Sequence, residues 1–184
     1  IFAFILPVII TTVFISPNPI HFLQLDNKPS IKAVLLMLAI YFAMTPAMNC
    51  LVDWNANISL PEPMKAIESW LRASEDAAAA VTDRILNSNN IFLSILLVGA
   101  LTGLSEEVLF RGGLQRILAT RPMNIHIAIW LSAFIFSAIH FQFFGFFPRL
   151  IIGAFFGYLA YWSGSLWIAV IAHAVNNSTV IIAH

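Results

Sequence analysis

The sequence predicts an all-α fold: a polytopic transmembrane helical bundle of five or six spans with one amphipathic interfacial helix. Hydrophobic residues make up 60% of the 184 residues and charged ones only 10%. Apolar runs close to the roughly 20 residues that cross a bilayer recur along the chain, and Pro-rich, Gly-rich or polar breaks separate them. We therefore expect one membrane-embedded domain, residues 1–184, with lipid as its surroundings.

Charge and cysteine content exclude several other classes of protein. Nine Lys and Arg balance nine Asp and Glu, so the formal net charge is zero. This balance is not that of an electrostatic nucleic-acid binder, and we expect no nucleic-acid partner. The single cysteine, Cys50, cannot form an intramolecular disulfide, and nothing in the sequence suggests a redox function.

The amino-terminal part, residues 1–52, predicts two spans. Residues 2–15 are apolar but short, and a Ser-Pro-Asn-Pro sequence ends them, so we expect the remainder of a truncated span. Residues 31–52 are long enough to cross a bilayer, and Pro46 predicts a kink within them.

Residues 53–90 form a connector of different composition, with six of the nine acidic residues and three of the nine basic ones. Apolar residues recur at spacings of three and four from Met64 to Ile85, and charged residues fall elsewhere on the helical wheel. This pattern predicts an amphipathic helix that lies along the membrane surface or packs over the bundle. A solvated connector and a substrate gate both remain open as its role.

The chain is apolar again over residues 91–184, which we expect to contain the functional helices. The predicted elements are a helix over 91–119 that is too long for a simple span, a helix over 124–144 that runs back beside it, a short span over 149–162 and a last helix over 166–184.

Only two carboxylates occur in this last part of the chain, and they are adjacent: Glu106 and Glu107. A charged side chain at mid-bilayer costs about 2.5 to 3.5 kcal/mol, which makes both residues functional candidates. Successive helical residues point about 100° apart, so the two have different roles. Glu107 precedes Arg111 by one turn and is expected to pair with it as a supporting residue. Glu106 has no counter-charge on its own helix and suits a general base, or alternatively a structural bond to another helix.

His140 is the expected partner of Glu106. If the chain reverses near residue 122 or 123, the two residues lie at equal depth on antiparallel helices. A lone histidine on an apolar helix is more often structural, but its matched depth with an unpaired glutamate favours a functional role. Phe136, one turn earlier, is expected to pack against the His140 ring and fix it.

The last helix supplies a third pair of polar side chains, His173 and Asn177. At a spacing of four they face the same way and offer two hydrogen-bond donors one turn apart. Such donors can stabilise a developing oxyanion, and ordinary interhelical hydrogen bonding is the alternative. The three elements together predict one polar site within the apolar bundle.

These residues carry a resemblance to a known family. The sequence resembles the CPBP intramembrane proteases, a group of CAAX proteases and bacteriocin-processing or immunity enzymes that includes the type II CAAX prenyl endopeptidase. The matching motifs are Glu106-Glu107-x-x-x-Arg111, Phe136-x-x-x-His140 and His173-x-x-x-Asn177. The resemblance implies hydrolysis of a peptide bond in a membrane-associated or prenylated substrate, by a helical bundle with a conical cavity. It also implies an integral membrane protein, which we place in the plasma (inner) membrane.

The resemblance further implies roles for the site residues. Glu106 is the base that activates water with help from His140, His173 and Asn177 stabilise the oxyanion, and Glu107 and Arg111 support them. Glu106, His140 and His173 could instead supply three zinc ligands with a fourth position open for water. We favour a site without metal or cofactor, because the sequence lacks a His-Glu-x-x-His helix.

Two other functions compete with the protease. A transporter would also need intramembrane Glu, His and Arg, but it predicts such groups at several depths and inverted repeats, which the sequence lacks. A catalytically silent immunity or scaffold protein would bind a membrane partner through the amphipathic helix. That role gives no reason for the four polar residues of the site.

Overall fold

Helices form almost all of the chain in a computed structural model, which describes residues 2–86, 90–120 and 123–183. Within those ranges the helices are α1 (Phe2–Ile15), α2 (Pro19–Phe22), α3 (Ile31–Ala56), α4 (Lys65–Leu86), α5 (Ile91–Ala119), α6 (Ile125–Ala138), α7 (Phe146–Ser163) and α8 (Leu166–Ala183). One 3₁₀ turn precedes α4 and another, Phe143–Gly145, precedes α7. The described residues contain no strand, which confirms the all-α prediction.

Three helices in the described ranges are long and apolar enough to cross a membrane: α3, α5 and α7 with its preceding 3₁₀ turn. The apolar parts of α1, α6 and α8 are shorter, between 10 and 17 residues each. The predicted total of five or six spans therefore stays a prediction. α3 runs through Pro46 and ends at Ala56, four residues beyond the predicted end.

α8 lies at the centre of the bundle, because it packs against α3, α5 and α7. Its residues Ile168, Ala169 and Ala172 are fully or almost fully buried against Met37 of α3 and Phe156 of α7. α6 packs on α7 and on the second half of α5, and α1 covers the outer side of α5. The helix that carries His173 is thus fixed from three sides.

Glycines allow α5 to approach α8 closely. A Cβ on Gly99 would lie 2.9 Å from the Ser178 Oγ, and one on Gly103 would lie 3.3 Å from the backbone nitrogen of Ala174. A spacing of four between small residues places both on one helix face and allows such an approach. Because Gly103 also touches His173, this contact brings the Glu106 segment of α5 against the His173 segment of α8.

A second glycine pair, Gly153 and Gly157 of α7, leaves its backbone open to side chains of α5. The Arg111 Nη2 donates to the Gly153 carbonyl at 2.7 Å, and the Gln115 Nε2 donates to the Gly157 carbonyl at 3.2 Å. Both glycines also contact α6, where a Cβ on Gly157 would lie 2.8 Å from the Ile129 Cγ2. This pair of small residues therefore holds α5, α6 and α7 together.

α5 is not a regular α-helix along its whole length. Two π-helical segments, Ile95–Leu101 and Val108–Leu114, flank the α-helical turns that carry the two glutamates. Each segment has a carbonyl that accepts from a neighbouring helix: the Asn177 Nδ2 donates to Val98 at 3.1 Å, and the Ser132 Oγ donates to Phe110 at 3.1 Å. Wide turns of this kind occur at functional sites, and they change which side chains share a helix face.

The chain between α6 and α7 differs from the prediction. α6 ends at Ala138 rather than at residue 144, and α7 begins at Phe146 rather than at 149. The Nδ1–H of His140 donates to the Phe136 carbonyl at 2.7 Å, and Phe141 adopts a left-handed conformation with φ 53°. These features turn the chain away from α6, so His140 lies in the turn after the helix. The predicted reversal near residues 119–124 includes residues 121 and 122, which are outside the described ranges.

The amphipathic helix α4 turns polar side chains towards the rest of the protein. Glu68 accepts hydrogen bonds from the Leu60 backbone N–H at 2.9 Å and from the Arg72 Nε at 3.1 Å, and it is 8% exposed. The hydrogen bond from Leu60, together with those from the nearby cationic side chains, lowers the pKa of Glu68 to about 2. Further along, Glu75 accepts the Phe144 N–H at 3.0 Å. The bond from Phe144 to Glu75 joins α4 to the segment that follows His140.

Several large apolar side chains of α4 and the turn before it face away from the protein. Met64, Ile67, Trp70 and Val81 are all exposed. This orientation suits a helix with lipid on its outer side, as expected for the interfacial helix.

Candidate active site

The polar residues predicted as a site line one cavity of about 380 Å³ among α5, the end of α6, α7 and α8. Its lining includes all four predicted catalytic residues and the aromatic residue expected to support them: Glu106, His140, His173, Asn177 and Phe136. Glu107 and Arg111 are fully or almost fully buried and do not line this cavity. The two adjacent glutamates therefore have different environments, as their angular separation on the helix requires.

Glu107 is the acceptor of two hydrogen bonds in the interior. Its Oε1 accepts from the Arg111 Nη1 at 2.8 Å and from the His173 Nδ1 at 2.7 Å. The Glu107 and Arg111 side chains are 0% and 1% exposed. An ion pair this deeply buried needs further hydrogen bonds to offset the loss of solvent, and both partners have one.

Arg111 is enclosed by three aromatic rings. The centres of the Phe136, Phe156 and Phe110 rings lie 4.7, 5.6 and 5.8 Å from its Cζ. Such contacts stabilise a guanidinium away from water. With its hydrogen bonds to Glu107 and Gly153, Arg111 links α5 to α7 directly behind the cavity.

His173 is held in one orientation by a ring contact and a carboxylate. Its ring stacks on Phe156 with centroids 4.9 Å apart and an interplanar angle of 25°. Because a carboxylate accepts the Nδ1 hydrogen, Nε2 is left as the ring nitrogen on the cavity side. The Nε2 lies 3.5 Å from the Glu106 Oε2, which is longer than a normal hydrogen bond.

Glu106 is 9% exposed and borders the cavity. Among the described residues, its carboxylate has no hydrogen bond, and its one ion-pair contact is the long one to His173. Among those residues, no hydrogen bond joins the Glu106 carboxylate to His140. A water between the two side chains would give the one-water contact that a general base and its helper require.

His140 is fixed by its own turn. Its ring packs edge-on against Phe136 with centroids 5.0 Å apart, as predicted, and its Nδ1 is bonded to the Phe136 carbonyl. The turn that follows is bonded to α3, where the Asn55 Nδ2 donates to the Phe143 carbonyl at 3.1 Å and the Phe147 N–H donates to the Asn55 Oδ1 at 2.9 Å. Nε2 is therefore the His140 nitrogen left for a ligand.

Asn177 has a hydrogen bond that the sequence did not indicate. Its Nδ2 donates to the Val98 carbonyl in the first π-helical segment at 3.1 Å. An amide NH₂ group has two hydrogens, so this bond leaves one donor. Asn176, its neighbour, accepts the Tyr41 hydroxyl hydrogen at 3.3 Å and so joins α8 to α3.

The three residues considered as zinc ligands, Glu106, His140 and His173, all line this cavity. The described residues contain no group of three or more His, Cys, Asp or Glu side chains placed to hold a metal ion. His173 and His140 each have their Nδ1 bonded to protein, and no hydrogen bond joins Glu106 to His140 among the described residues. An Nδ1 bonded to a carboxylate or a carbonyl is also common in histidines that bind a metal through Nε2, so the zinc alternative stays a prediction.

Arg149 is a cavity residue that the motifs did not identify. It lies in the first turn of α7, and its Nη2 donates to the Gln142 Oε1. A signal for it was present: no other Lys or Arg occurs after Arg121, and no Asp or Glu occurs after Glu107. A lone cation in an apolar segment is a functional candidate for the same reason as a lone carboxylate.

One comparison with known proteins finds a match. The family model described as "Type II CAAX prenyl endopeptidase Rce1-like" matches residues 88–179, which are 92 of the 184 residues. No curated protein and no solved structure matches the chain. The matched segment contains the three motifs and the cavity-lining residues of α5, α7 and α8 named above.

Proposed function

Because the chain belongs to the family of Rce1-like type II CAAX prenyl endopeptidases, we propose that this integral membrane protein is an intramembrane endopeptidase. Its substrate is a membrane-associated or prenylated, CAAX-type protein or peptide. The observation that carries the proposal is the convergence of Glu106 and His173 on one cavity, with Nε2 and Oε2 at 3.5 Å.

Glu106 acts as the general base in this proposal. Its carboxylate has no hydrogen bond among the described residues, so it is available to a water held between it and the His140 Nε2. Removal of a proton from that water produces the nucleophile that attacks the scissile carbonyl carbon. Glu106 then returns the proton to the leaving amine, as general bases of hydrolases do.

His173 and Asn177 stabilise the oxyanion that forms on the carbonyl oxygen. The Asn177 amide has a hydrogen left after its bond to Val98. The second donor is the Nε2–H of His173 in its imidazolium form, because the Nδ1 hydrogen is already donated to Glu107. Donors that are already oriented stabilise a transition state without reorganisation during the reaction. The contacts of His173 with Glu107 and Phe156 provide this orientation.

Glu107, Arg111 and Phe136 act as positioning residues. Glu107 holds the His173 ring, Arg111 neutralises Glu107, and Phe136 contacts both the Arg111 guanidinium and the His140 ring. The proposed reaction uses no metal or cofactor. We place the protein in the plasma (inner) membrane, with lipid around its exposed apolar helices.

The alternative functions receive less support from the same geometry. The intramembrane polar groups named here gather at one cavity, whereas a transport path needs groups at successive depths. A silent scaffold would leave no use for a carboxylate without a hydrogen-bond partner in that cavity, since burial of such a group costs stability.

The test is hydrolysis of a defined peptide by the purified protein in liposomes. A farnesylated peptide with a Cys-aliphatic-aliphatic-X carboxyl terminus and its unprenylated counterpart are incubated separately, and released fragments are identified by mass spectrometry. We expect cleavage that is faster for the farnesylated peptide. Absence of cleavage of both peptides, with a folded protein in the liposomes, would overturn the proposed function.

A further inference from the structure

Arg149 carries a positive charge beside the cavity, and neither of the carboxylates that act on it electrostatically, Glu75 and Glu106, forms an ion pair with it. Its Nη1 is buried and has no hydrogen-bond partner among the described residues, and no ion pair to Arg149 occurs in that part of the chain. The guanidinium rests against Gly145, where a Cβ would lie 3.3 Å from the Nη2. One hydrogen bond, to Gln142, satisfies only part of its five donors.

The position of Arg149 at the start of α7 adds to the positive potential around its guanidinium. It is the fourth residue of α7, and Gly145 at the helix start provides no side-chain cap. The amino-terminal turn of a helix has a partial positive charge, which disfavours a cation and favours an anion. The guanidinium and the helix start therefore both contribute positive potential at this place, and both would stabilise a bound anion.

Arg149 lines two neighbouring cavities, one of which contains Glu106. The other cavity, of about 540 Å³, extends from Arg149 among α3, α7 and α8, past Met44, Met48 and Val52. It shares Arg149 and three further residues, Ile152, Asn176 and Val180, with the cavity that contains Glu106. A peptide that enters through the larger cavity therefore passes Arg149 before its scissile bond reaches Glu106.

We propose that Arg149 binds a carboxylate of the peptide substrate and so positions the scissile bond at Glu106. A guanidinium and a carboxylate form charge-assisted, bidentate hydrogen bonds whose fixed geometry sets the register of the bound peptide. The carboxylate is the carboxyl terminus of the peptide or an acidic side chain near it. This inference rests on the proposed function and adds the feature that the site recognises in its substrate.

The test compares three farnesylated peptides of one sequence: a free carboxyl terminus, a carboxyl-terminal amide, and the amide with aspartate as its last residue. Each is assayed for kcat and KM with the wild-type protein and with Arg149→Gln and Arg149→Lys. Arg116→Gln is the matched control, because Arg116 also has a buried, unpartnered nitrogen but lines a different cavity. Thermal unfolding of every variant shows whether it is folded.

We expect the wild-type protein to hydrolyse the free acid about 10- to 100-fold more efficiently than the amide, mainly through KM, as a charged hydrogen bond provides. Arg149→Gln should lose this preference, Arg149→Lys should keep part of it, and Arg116→Gln should keep all of it. Recovery with the aspartyl amide assigns the site to acidic side chains, and no recovery assigns it to the carboxyl terminus.

Two results would overturn the inference: a preference for the acid that survives in folded Arg149→Gln, or an equal loss of kcat for acid and amide. The second result would mean that Arg149 acts on the reacting carbonyl or on the structure. If the wild-type protein cleaves nothing, the proposed function fails by itself, and equilibrium binding of labelled acid and amide peptides decides the inference. Tighter binding of the acid that requires Arg149 supports it, and equal binding refutes it.

Discussion

Replacement of Glu107 by glutamine tests the distinction between the two adjacent glutamates. The change removes the negative charge from a side chain that is 0% exposed and leaves Arg111 as a buried cation. Loss of one partner of a buried ion pair costs about 3 to 5 kcal/mol. The bond from Arg111 to the Gly153 carbonyl and its aromatic contacts remain, so we expect a value near the lower limit.

The assay is thermal unfolding in detergent together with peptide hydrolysis. For a chain of this size about 3 kcal/mol lowers the Tm by roughly 6 to 12 °C. Activity should fall as well, because the His173 Nδ1 loses its carboxylate acceptor. The double variant Glu107→Gln/Arg111→Met removes both charges and should recover much of the stability, as replacement of buried ion pairs by apolar residues does. It should not recover activity, since the carboxylate that orients His173 is still missing.

A Glu107→Gln variant with an unchanged Tm and no activity would refute this reasoning. Glu107 would then have the chemical role, and the assignments of the two glutamates would have to be exchanged. Full activity in Glu107→Gln would refute the positioning role of the bond between Glu107 and His173.

Three further expectations follow from other parts of the structure. Gly157→Ala should destabilise the protein by about 1 to 3 kcal/mol, measured by thermal unfolding, because its Cβ would lie 2.7 Å from the Gln115 Oε1 and 2.8 Å from the Ile129 Cγ2; an unchanged Tm would contradict the close packing. Because the pKa of Glu68 is lowered, the hydrogen bond that its carboxylate accepts from the Leu60 N–H is fully formed above the ordinary carboxyl pKa of 4.5. This bond is lost as the pH falls towards about 2. The protection of the Leu60 amide against hydrogen exchange, relative to its intrinsic rate, should fall over that interval. Glu68→Ala, which removes the acceptor, should show little protection at every pH, and a well-protected Leu60 amide in that variant would contradict this hydrogen bond. Metal chelators should leave peptide hydrolysis unchanged, whereas stoichiometric zinc in the purified protein and loss of activity on its removal would overturn the metal-free proposal.

Much of the fold could be predicted because hydrophobic runs and turn residues mark the helices of a membrane protein directly. The end of α1, the extent of α5 and the amphipathic nature of α4 all follow from such patterns. Gly99 and Gly103 lie four residues apart, which indicates a close approach by another helix, but the spacing does not identify α8 as that helix. The end of α6 did not follow, because it depends on a hydrogen bond from the His140 ring to the Phe136 carbonyl.

The candidate site could be predicted where charge and spacing within one helix decide the contact. Glu107 and Arg111 are such a case, since residues four apart on a helix are neighbours. The bond from Asn177 to Val98 depends on the π-helical segment, which no pattern with a period of 3.6 residues reveals. The inward polar side of α4 likewise depends on partners distant in sequence, among them Phe144.

The measurement that tests the central claim most directly is kcat for Glu106→Gln on a peptide that the wild-type protein cleaves. Glutamine keeps the size of the side chain but cannot accept a proton, so only the general base is removed. We expect kcat to fall by at least about 100-fold, with a Tm that stays close to that of the wild-type protein. Retained hydrolysis in a folded Glu106→Gln variant would contradict the assignment of Glu106 as the base.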